Sequence, residues 1–330
     1  MKAKIISTGS YLPEKILSNA DLERMVDTND EWILSRTGIK ERRIAKDDEY
    51  SSSMGLIAAQ RALESSGLVK DQIDAIIVST LTPDYTFPST ACLIQSALGL
   101  EKAAAFDVQA ACSGYIYALS IAKAYINSGM YNNILLISTE KLSSIINYED
   151  RNTCILFGDG ASACIVGNGG KGWEIKDVCL GSDGSLSHLL RQPAGGCRMP
   201  ASLDTVTSKL HCIQMDGKEV FKHAVRRMEA STKECLDKSG LAEGAVDWFV
   251  PHQANVRIIE ALAKRFSIPW EQIYLTLSKY GNTSASSIGI ALDELLRTHS
   301  FKENQNILLT AFGAGFTWGS SVLTYGANDA

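Results

Sequence analysis

The sequence contains no apolar run of about 18 residues, so no segment is expected to span a bilayer as a helix. It also lacks an excess of basic charge: 32 Lys and Arg stand against 37 Asp and Glu, a net charge of −5. Global attraction to nucleic acid is therefore not expected, and an anionic partner would have to meet a local basic patch. The start, MKAKIISTGSYLP, has too short an apolar stretch for a signal peptide and is typical of a strand followed by a turn. We therefore expect a cytoplasmic protein.

Cysteine pairs of the C-x-x-C type are also absent, which argues against a zinc ribbon or a thioredoxin-like redox motif. A cytosolic chain of 330 residues does not need disulfides. We expect reduced thiols, most of them buried. The cysteines are Cys92, Cys112, Cys154, Cys164, Cys179, Cys197, Cys212 and Cys235.

Short apolar runs alternate with longer amphipathic segments along the chain. Residues 73–79 (IDAIIVS) and 134–138 (ILLIS) are β-branched runs of strand length, and residues 114–128 have helical spacing. Strands that alternate with helices predict parallel strands and an α/β fold.

The second half of the chain repeats motifs of the first. Asp74 in DAIIVS corresponds to Asp247 in VDWFVP, and Ile134 in NNILLIS to Ile307 in NQNILLT; each pair is 173 residues apart. A third match joins GDGASACIV to WGSSVLTY. The repeat predicts a duplicated α/β unit, with halves at residues 1–170 and 171–330 and a glycine-rich linker at 167–171. The long segment 181–208 lacks periodicity, as functional or disordered loops do.

The segment VQAACSGYIYAL places a cysteine between two predicted elements. Residues 104–109 are typical of a strand, so Cys112 lies where the chain enters the helix at 114–128. Free N–H groups and the helix dipole favour an anion there, so we expect the pKa of the Cys112 thiol to fall below its usual value of about 8.5. This context leaves both a nucleophilic cysteine and an ordinary buried thiol open.

Two further polar residues occupy comparable places in the second half. His252 follows the predicted strand 248–250 and precedes a predicted helix at 254–266, and strand ends are where α/β sheets place ligand groups. Asn282, in KYGNTSASSIGIAL, falls near the counterpart of the cysteine turn. A structural histidine and an asparagine that caps a helix are the alternative interpretations.

The motifs A-C-S-G-Y, H-Q-A-N and G-N-T-S-A, in this order, resemble the Cys-His-Asn set of the β-ketoacyl-acyl carrier protein synthase III family. These are the initiating condensing enzymes of type II fatty acid synthesis. The resemblance covers nearly the whole chain, including NDEWILSRTGIKERR, LTPDYTFPSTACLIQ, AGGCRMPAS and AFGAGFTWGSS. It implies an α/β, thiolase-like fold of duplicated halves, with two mixed five-stranded sheets in a layered α-β-α-β-α arrangement.

The resemblance also implies a reaction. Cys112 would accept an acyl group from an acyl-CoA, with the oxyanion held by the backbone N–H groups of Cys112 and Ala314. Loss of CO₂ from malonyl-acyl carrier protein would then give an enolate stabilised by donors from His252 and Asn282. The family needs no metal or redox cofactor, and CoA thioesters enter as substrates.

Binding surfaces follow from the same resemblance. Trp32, Arg36, Arg151 and Asn255 would bind CoA, and the spacing of Trp32 and Arg36 puts both on one helix face.

Arg257, Lys264 and Arg265, also on one helix face, would bind the acidic carrier protein. Phe87 would reach into the acyl pocket of the partner in a homodimer. Solvated arginines and lysines and a loop-anchoring aromatic are the plain alternatives. The segment 200–215 is longer than the family pattern and bears on primer choice.

Other functions fit parts of the pattern. A relative that primes polyketide or signal-molecule synthesis would keep the same three residues. Thiolase would carry a second cysteine where this chain has FGAGFTWG, and a hydroxymethylglutaryl-CoA synthase would add a catalytic glutamate. A non-catalytic subunit with the same fold would be expected to lose the cysteine, and this chain retains Cys112.

Overall fold

The computed structural model describes residues 2–326, and in this range the chain forms thirteen strands. The strands are β1 (Lys4–Tyr11), β2 (Lys15–Ser18), β3 (Glu41–Ile44), β4 (Ala75–Ser79), β5 (Ala104–Val108), β6 (Asn133–Glu140), β7 (Gly160–Gly167), β8 (Gly172–Ser182), β9 (Leu190–Arg191), β10 (Gln214–Met215), β11 (Trp248–Pro251), β12 (Asn306–Gly313) and β13 (Thr317–Gly326).

Eleven α-helices connect these strands in the same range. They are α1 (Asn19–Glu23), α2 (Asp30–Thr37), α3 (Ser51–Ser66), α4 (Thr90–Leu98), α5 (Gly114–Asn127), α6 (Arg151–Cys154), α7 (Leu203–Thr207), α8 (Gly217–Ser239), α9 (Val256–Arg265), α10 (Leu277–Tyr280) and α11 (Ser286–Thr298). Short 3₁₀ turns include Ala111–Ser113, directly before α5.

The predicted elements agree with the structure to within two or three residues. The helix predicted at 114–128 is α5, and the helix predicted at 254–266 is α9. The strands predicted at 73–79 and 134–138 are β4 and β6. The predicted linker lies between β7 and β8. The segment 181–208 contains β9, α7 and the end of β8.

The main sheet corrects the expected number of strands. Instead of two five-stranded sheets, nine strands form one mixed sheet in the order β11-β12-β13-β8-β1-β7-β6-β4-β5. The two groups are joined because β8 is 11 residues long and its start pairs with β1, through Lys4↔Glu174 and Ile5↔Trp173. That junction comprises two residue pairs, whereas β8 pairs with β13 over ten.

Helices pack in layers on the sheet, as the resemblance implied. The helices α5 and α11 share one core with strands from both groups, while α3 and α4 pack on the first group and α8 and α9 on the second. Fully buried representatives of the three cores are Leu119 and Leu292, Met54 and Ile94, and Phe249 and Ile259.

The 173-residue offset recurs in the strand register. The parallel pair β4–β6 aligns Ala75 with Ile134, and the parallel pair β11–β12 aligns Trp248 with Ile307. The aspartate before each first strand binds the start of its neighbour: Asp74 Oδ2 accepts from the Asn133 N–H at 3.0 Å. Its counterpart, Asp247 Oδ2, accepts from the Asn306 N–H at 2.7 Å.

Two general expectations concern membranes and thiols. Among residues 2–326, no helix is both long enough and apolar enough to cross a membrane. Five of the eight cysteines are buried, which confirms the prediction that most of them are buried.

The approach of α11 to β7 depends on a glycine. A Cβ atom at Gly289 would overlap the Ser162 hydroxyl and lie 2.6 Å from the Ser162 Cβ. We expect Gly289→Ala to lower the free energy of unfolding by about 1–3 kcal/mol, because overpacking outweighs the gain of about 1 kcal/mol from helix propensity. Urea unfolding measures the change. Gly169→Ala is the control, because no atom lies within 4 Å of the added methyl group; equal stability of the two variants would contradict the prediction.

Candidate active site

The site begins where three parallel strands end. The strands β4, β5 and β6 are adjacent and parallel, and their carboxyl ends meet at one edge of the sheet. Cys112 lies in the turn that leads from β5 into α5. The turn is tight: a Cβ atom at Gly114 would overlap the Ser79 hydroxyl at the end of β4. The predicted position of Cys112 between a strand and a helix is therefore correct.

His252 follows β11 in the second half and is held through its backbone. Its N–H donates to the Thr310 carbonyl at 2.8 Å, which continues the pairing of β11 with β12. The neighbouring Gln253 side chain fixes the loop: Nε2 donates to the Pro251 carbonyl at 2.7 Å, and Oε1 accepts from the Thr276 N–H at 2.9 Å. The imidazole is almost fully buried.

Asn282 is oriented by both its backbone and its side chain. The backbone bridges to the segment before β7, donating to the Leu156 carbonyl at 2.9 Å and accepting from the Gly158 N–H at 3.0 Å. Asn282 Oδ1 accepts from the Ser284 N–H at 2.8 Å. Because the amide oxygen is used in this way, the NH₂ group is the end available to donate to another molecule.

The turns before α5 and α11 are structural equivalents. Ala111 has φ +45° and Ser284 has φ +50°, so each turn contains a non-glycine residue in the left-handed region. These residues are 173 positions apart, the offset of the sequence repeat. Left-handed backbone is costly for alanine and serine, and its presence at both turns marks them as conformationally constrained. In the repeat, the turn that contains Asn282 and Ser284 is therefore the counterpart of the cysteine turn.

Two cavities meet at Cys112. The larger, about 1050 Å³, is lined by Cys112, His252 and Asn282, which the structure therefore brings together. The second, about 580 Å³, is lined by Cys112, Ser284 and Ala314.

The predicted lowering of the Cys112 pKa is wrong. Burial raises the pKa of this thiol to about 12, and the nearby Glu140 carboxyl also raises it. The helix N-terminus is present, but Cys112 is only 9% exposed, and removal of water disfavours the thiolate. At neutral pH the resting thiol is protonated.

Burial has the opposite effect on His252. It lowers the pKa of the imidazole to about 3, because the charged form is the one that loses hydration. The ring is therefore neutral at pH 7. In the part of the chain that the structure describes, its Nδ1 atom is buried without a hydrogen-bond partner. A neutral imidazole that lines the cavity is suited to donate one hydrogen bond rather than to supply a positive charge.

Comparison with known proteins identifies the family. The description 3-Oxoacyl-[acyl-carrier-protein (ACP)] synthase III matches residues 106–184, and its C-terminal counterpart matches residues 236–325. The Beta-ketoacyl-[acyl-carrier-protein] synthase III of Chlamydia caviae is 62% identical over 323 residues, covering 98% of this chain and 96% of that protein. The chain belongs to the 3-oxoacyl-[acyl-carrier-protein] synthase III family. This confirms the resemblance read from the motifs.

Solved structures of similar proteins have the same fold. That of 3-oxoacyl-[acyl-carrier-protein] synthase III from Aquifex aeolicus has a TM-score of 0.90 and 48% identity, covering 98% of this chain and 100% of its own. The priming β-ketosynthase from the R1128 polyketide biosynthetic pathway has a TM-score of 0.89 and 35% identity, covering 99% and 97%.

Three of the four residues expected to bind CoA cluster around one indole ring. Trp32 and Arg36 lie on α2 and line the larger cavity with Asn255. The guanidinium groups of Arg36 and Arg151 lie 4.8 and 5.2 Å from the Trp32 ring centroid. Arg151 comes from α6, so two distant segments supply the cluster. Asn255 caps α9, accepting from the Arg257 N–H at 2.9 Å.

The residues expected to bind the carrier protein and the partner subunit are exposed. Arg257, Lys264 and Arg265 lie on α9, and Arg257 also lines the larger cavity. Arg265 is paired with Glu229 at 2.7 Å. Phe87 is 85% exposed and lines neither of the two cavities of its own chain.

Two polar residues behind Cys112 were not singled out from the sequence. Glu140 ends β6 with its side chain fully buried, and Ser284 is also buried. The sequence contained two signals that could have identified them. One is a charged residue at the end of the apolar run ILLISTE, and the other is a serine 173 residues after Ala111. Among residues 2–326, no group of three or more His, Cys, Asp or Glu side chains is arranged to hold a metal ion.

The raised pKa of Cys112 predicts its reactivity in the free protein. At pH 7.5 we expect iodoacetamide to alkylate Cys112 more slowly than the exposed Cys92 and Cys197, because the thiolate is the reactive form. The rate should climb steeply between pH 9 and 11. Peptide mass spectrometry measures each site separately. Faster alkylation of Cys112 than of the exposed cysteines at pH 7.5 would restore the idea of a lowered pKa.

Proposed function

We propose that the protein catalyses the decarboxylative condensation of a short-chain acyl-CoA, with acetyl-CoA as the leading candidate, with malonyl-acyl carrier protein. The products are 3-oxoacyl-acyl carrier protein, CoA and CO₂, and the reaction initiates fatty acid synthesis. The observation that carries the proposal is that Cys112, His252 and Asn282 line one cavity in a chain that belongs to this family of acyltransferases.

In the first half-reaction Cys112 attacks the thioester carbonyl, and the acyl group is transferred from CoA to the Cys112 sulfur. Backbone N–H groups of Cys112 and Ala314 stabilise the oxyanion. The packing of their segments supports this role: a Cβ atom at Gly313 would lie 2.7 Å from the Cys112 nitrogen, so the strand before Ala314 runs directly beside the cysteine.

In the second half-reaction malonyl-carrier protein loses CO₂, and negative charge develops on its thioester oxygen. His252 and Asn282 donate hydrogen bonds to that oxygen, and the carbanion attacks the acyl-Cys112 carbonyl. The neutral state of the imidazole and the use of Asn282 Oδ1 by the Ser284 N–H both support a role as hydrogen-bond donors. A buried site strengthens such bonds, because water does not compete for the oxyanion.

The remaining assignments complete the proposal. CoA binds along Trp32, Arg36, Arg151 and Asn255, where indole stacking and guanidinium–phosphate pairing suit its nucleotide end. The carrier protein docks on the basic face of α9. The enzyme works in the cytoplasm as a homodimer, in which the exposed Phe87 reaches the acyl pocket of the partner subunit.

Priming of polyketide synthesis is the second candidate. The similarity to the R1128 priming β-ketosynthase, at 35% identity over almost the full length, favours it specifically. The three site residues would be the same, and the acceptor would differ. Values of kcat/KM across a series of acyl-CoA donors and carrier proteins separate the two functions.

Intact-mass measurement tests the first half-reaction. After incubation with acetyl-CoA we expect an acetyl adduct that is absent in Cys112→Ala. His252→Ala should still form the adduct but lose condensation, because its hydrogen bond is needed only when the enolate forms. No adduct with any short acyl-CoA would overturn the proposed function. Equal loss of both steps in His252→Ala would refute the division of roles.

A charge reversal tests carrier-protein docking. We expect Lys264→Glu to raise KM for malonyl-carrier protein by about tenfold at low ionic strength, and by less in high salt, because exposed charges act mainly on association. The exposed Lys102, next to the strand β5 at the opposite edge of the sheet, provides the control Lys102→Glu. An equal effect of both substitutions, or no dependence on salt, would place the docking surface elsewhere.

A further inference from the structure

One arginine in the described part of the chain is completely buried. Arg42 lies on β3, and none of its surface is exposed to solvent. Within residues 2–326 the hydrogen-bond acceptors of its guanidinium are neutral oxygens rather than carboxylates. Burial lowers the pKa of Arg42 to about 10, so the group is still a cation at neutral pH. The desolvation of such a charge is costly, which points to a role other than stability.

One end of the guanidinium holds the backbone at Ile155. Its Nε atom donates to the Ile155 carbonyl at 3.0 Å, and Nη2 donates to the same oxygen. Ile155 directly follows α6, and the last carbonyl groups of a helix have no partner within that helix. Two donors from one planar group fix both the position and the direction of this carbonyl.

The other end of the guanidinium is anchored to a separate part of the fold. Nη1 donates to Asn19 Oδ1 at 2.5 Å. The Asn19 amide nitrogen in turn donates to the Ile39 carbonyl at 2.8 Å and to Asp30 Oδ1, in the first turn of α2, at 2.7 Å. The guanidinium is therefore held at both ends, and its contact with Ile155 is fixed.

The segment that Arg42 holds is the one that binds the backbone of Asn282. Directly after Ile155, the Leu156 carbonyl accepts from the Asn282 N–H at 2.9 Å, and the Gly158 N–H donates to the Asn282 carbonyl at 3.0 Å. These two bonds are the only route by which the segment can act on the Asn282 backbone through hydrogen bonds within residues 2–326. A shift of the Ile155 carbonyl therefore moves the support of Asn282.

The aliphatic part of Arg42 also packs against the residue before Asn282. A Cβ atom at Gly281 would lie 3.0 Å from the Arg42 Cγ, and one at Gly158 would lie 3.3 Å from the Arg42 Cβ. Gly281 has φ +65°, in the left-handed region that favours glycine. Arg42 therefore supports the Asn282 turn by direct packing as well as through Ile155.

The orientation of Asn282 matters for the chemistry of the cavity. Asn282 lines the larger cavity together with Ile155 and Leu156, and its amide oxygen accepts from the Ser284 N–H at 2.8 Å. The NH₂ group is therefore the end that can donate to a bound molecule. A donor stabilises a developing oxyanion only when it is already in place, and a misplacement of about 1 Å can slow a reaction by about 100-fold.

We propose that Arg42 is a positioning residue for the condensation step. Through the Ile155 carbonyl and Gly281 it fixes the backbone of Asn282, and with it the direction in which the amide NH₂ group donates. Acylation of Cys112 does not use that NH₂ group, so the acylation rate should not depend on Arg42. The inference rests on the proposed function, since it concerns the half-reaction in which Asn282 donates to the thioester oxygen.

The test measures the two half-reactions separately in Arg42→Gln and Arg42→Lys. Rapid quench and intact mass follow acylation by acetyl-CoA, and release of CO₂ from malonyl-carrier protein by the acetylated enzyme follows condensation. We expect Arg42→Gln to acylate within about threefold of the unmodified rate but to condense about 10–100-fold more slowly, with little change in KM for malonyl-carrier protein. Arg42→Lys keeps the charge and one donor, so its rate of condensation should lie between the two.

A double variant shows whether the loss acts through Asn282. If Arg42 works by placing the Asn282 amide, its removal should have no further effect once that amide is gone. We expect Arg42→Gln combined with Asn282→Ala to release CO₂ within about threefold of the rate of Asn282→Ala alone. General damage to the site would instead multiply the two losses.

Arg61→Gln is the matched control. Arg61 also donates to a backbone carbonyl, that of Ser10, but it lies on α3 and lines neither of the two cavities, so both half-reactions should stay unchanged. If Arg42→Gln does not fold, the same measurements on Arg42→Lys decide. Equal loss of both half-reactions, unchanged condensation, or multiplied losses in the double variant overturns the proposal. An unmodified enzyme that forms no acetyl adduct overturns the proposed function instead.

Discussion

The site depends on one close approach, in which the turns before α5 and α11 meet at the carboxyl ends of β4, β5 and β6. A Cβ atom at Gly114 would overlap Ser79 and lie 3.3 Å from the Ala285 Cβ, so the two helix starts are in direct contact. Each turn needs a left-handed residue, Ala111 or Ser284, to make the change from extended chain to helix. This contact places the turn that carries Cys112 beside the turn that carries Ser284, more than 170 positions later in the chain.

Burial at that contact determines the charge state of the site. It raises the pKa values of Cys112 and Glu140 and lowers that of His252, so each group moves toward its neutral form. A neutral site suits a reaction in which negative charge appears on a thioester oxygen, because fixed donors then meet charge only as it develops. The same burial disfavours the thiolate form of Cys112 in the free protein.

The features that follow from local sequence patterns could be predicted from the sequence alone. Periodicity located β4, β6 and α5, the 173-residue offset paired the cysteine turn with the asparagine turn, and the motifs identified the family. The acidity of Cys112 was not predictable in this way, because the helix N-terminus is visible in the sequence but the depth of burial is not. Glu140 was missed for a similar reason: its donors, Thr80 and Thr82, follow a different strand. The joined sheet depends on two residue pairs between β1 and β8, which no periodicity encodes.

The segment 200–215 connects to the site through its end. The Ile213 N–H donates to the Ile145 carbonyl at 2.9 Å, and both side chains line the smaller cavity beside Cys112. Directly after Ile213, β10 pairs with β9, whose residues Leu190 and Arg191 line the same cavity. Part of the wall of this cavity is therefore formed by β9 and by Ile213, outside the main sheet. These residues can change without any change at the ends of β4, β5 and β6, where the turn with Cys112 begins.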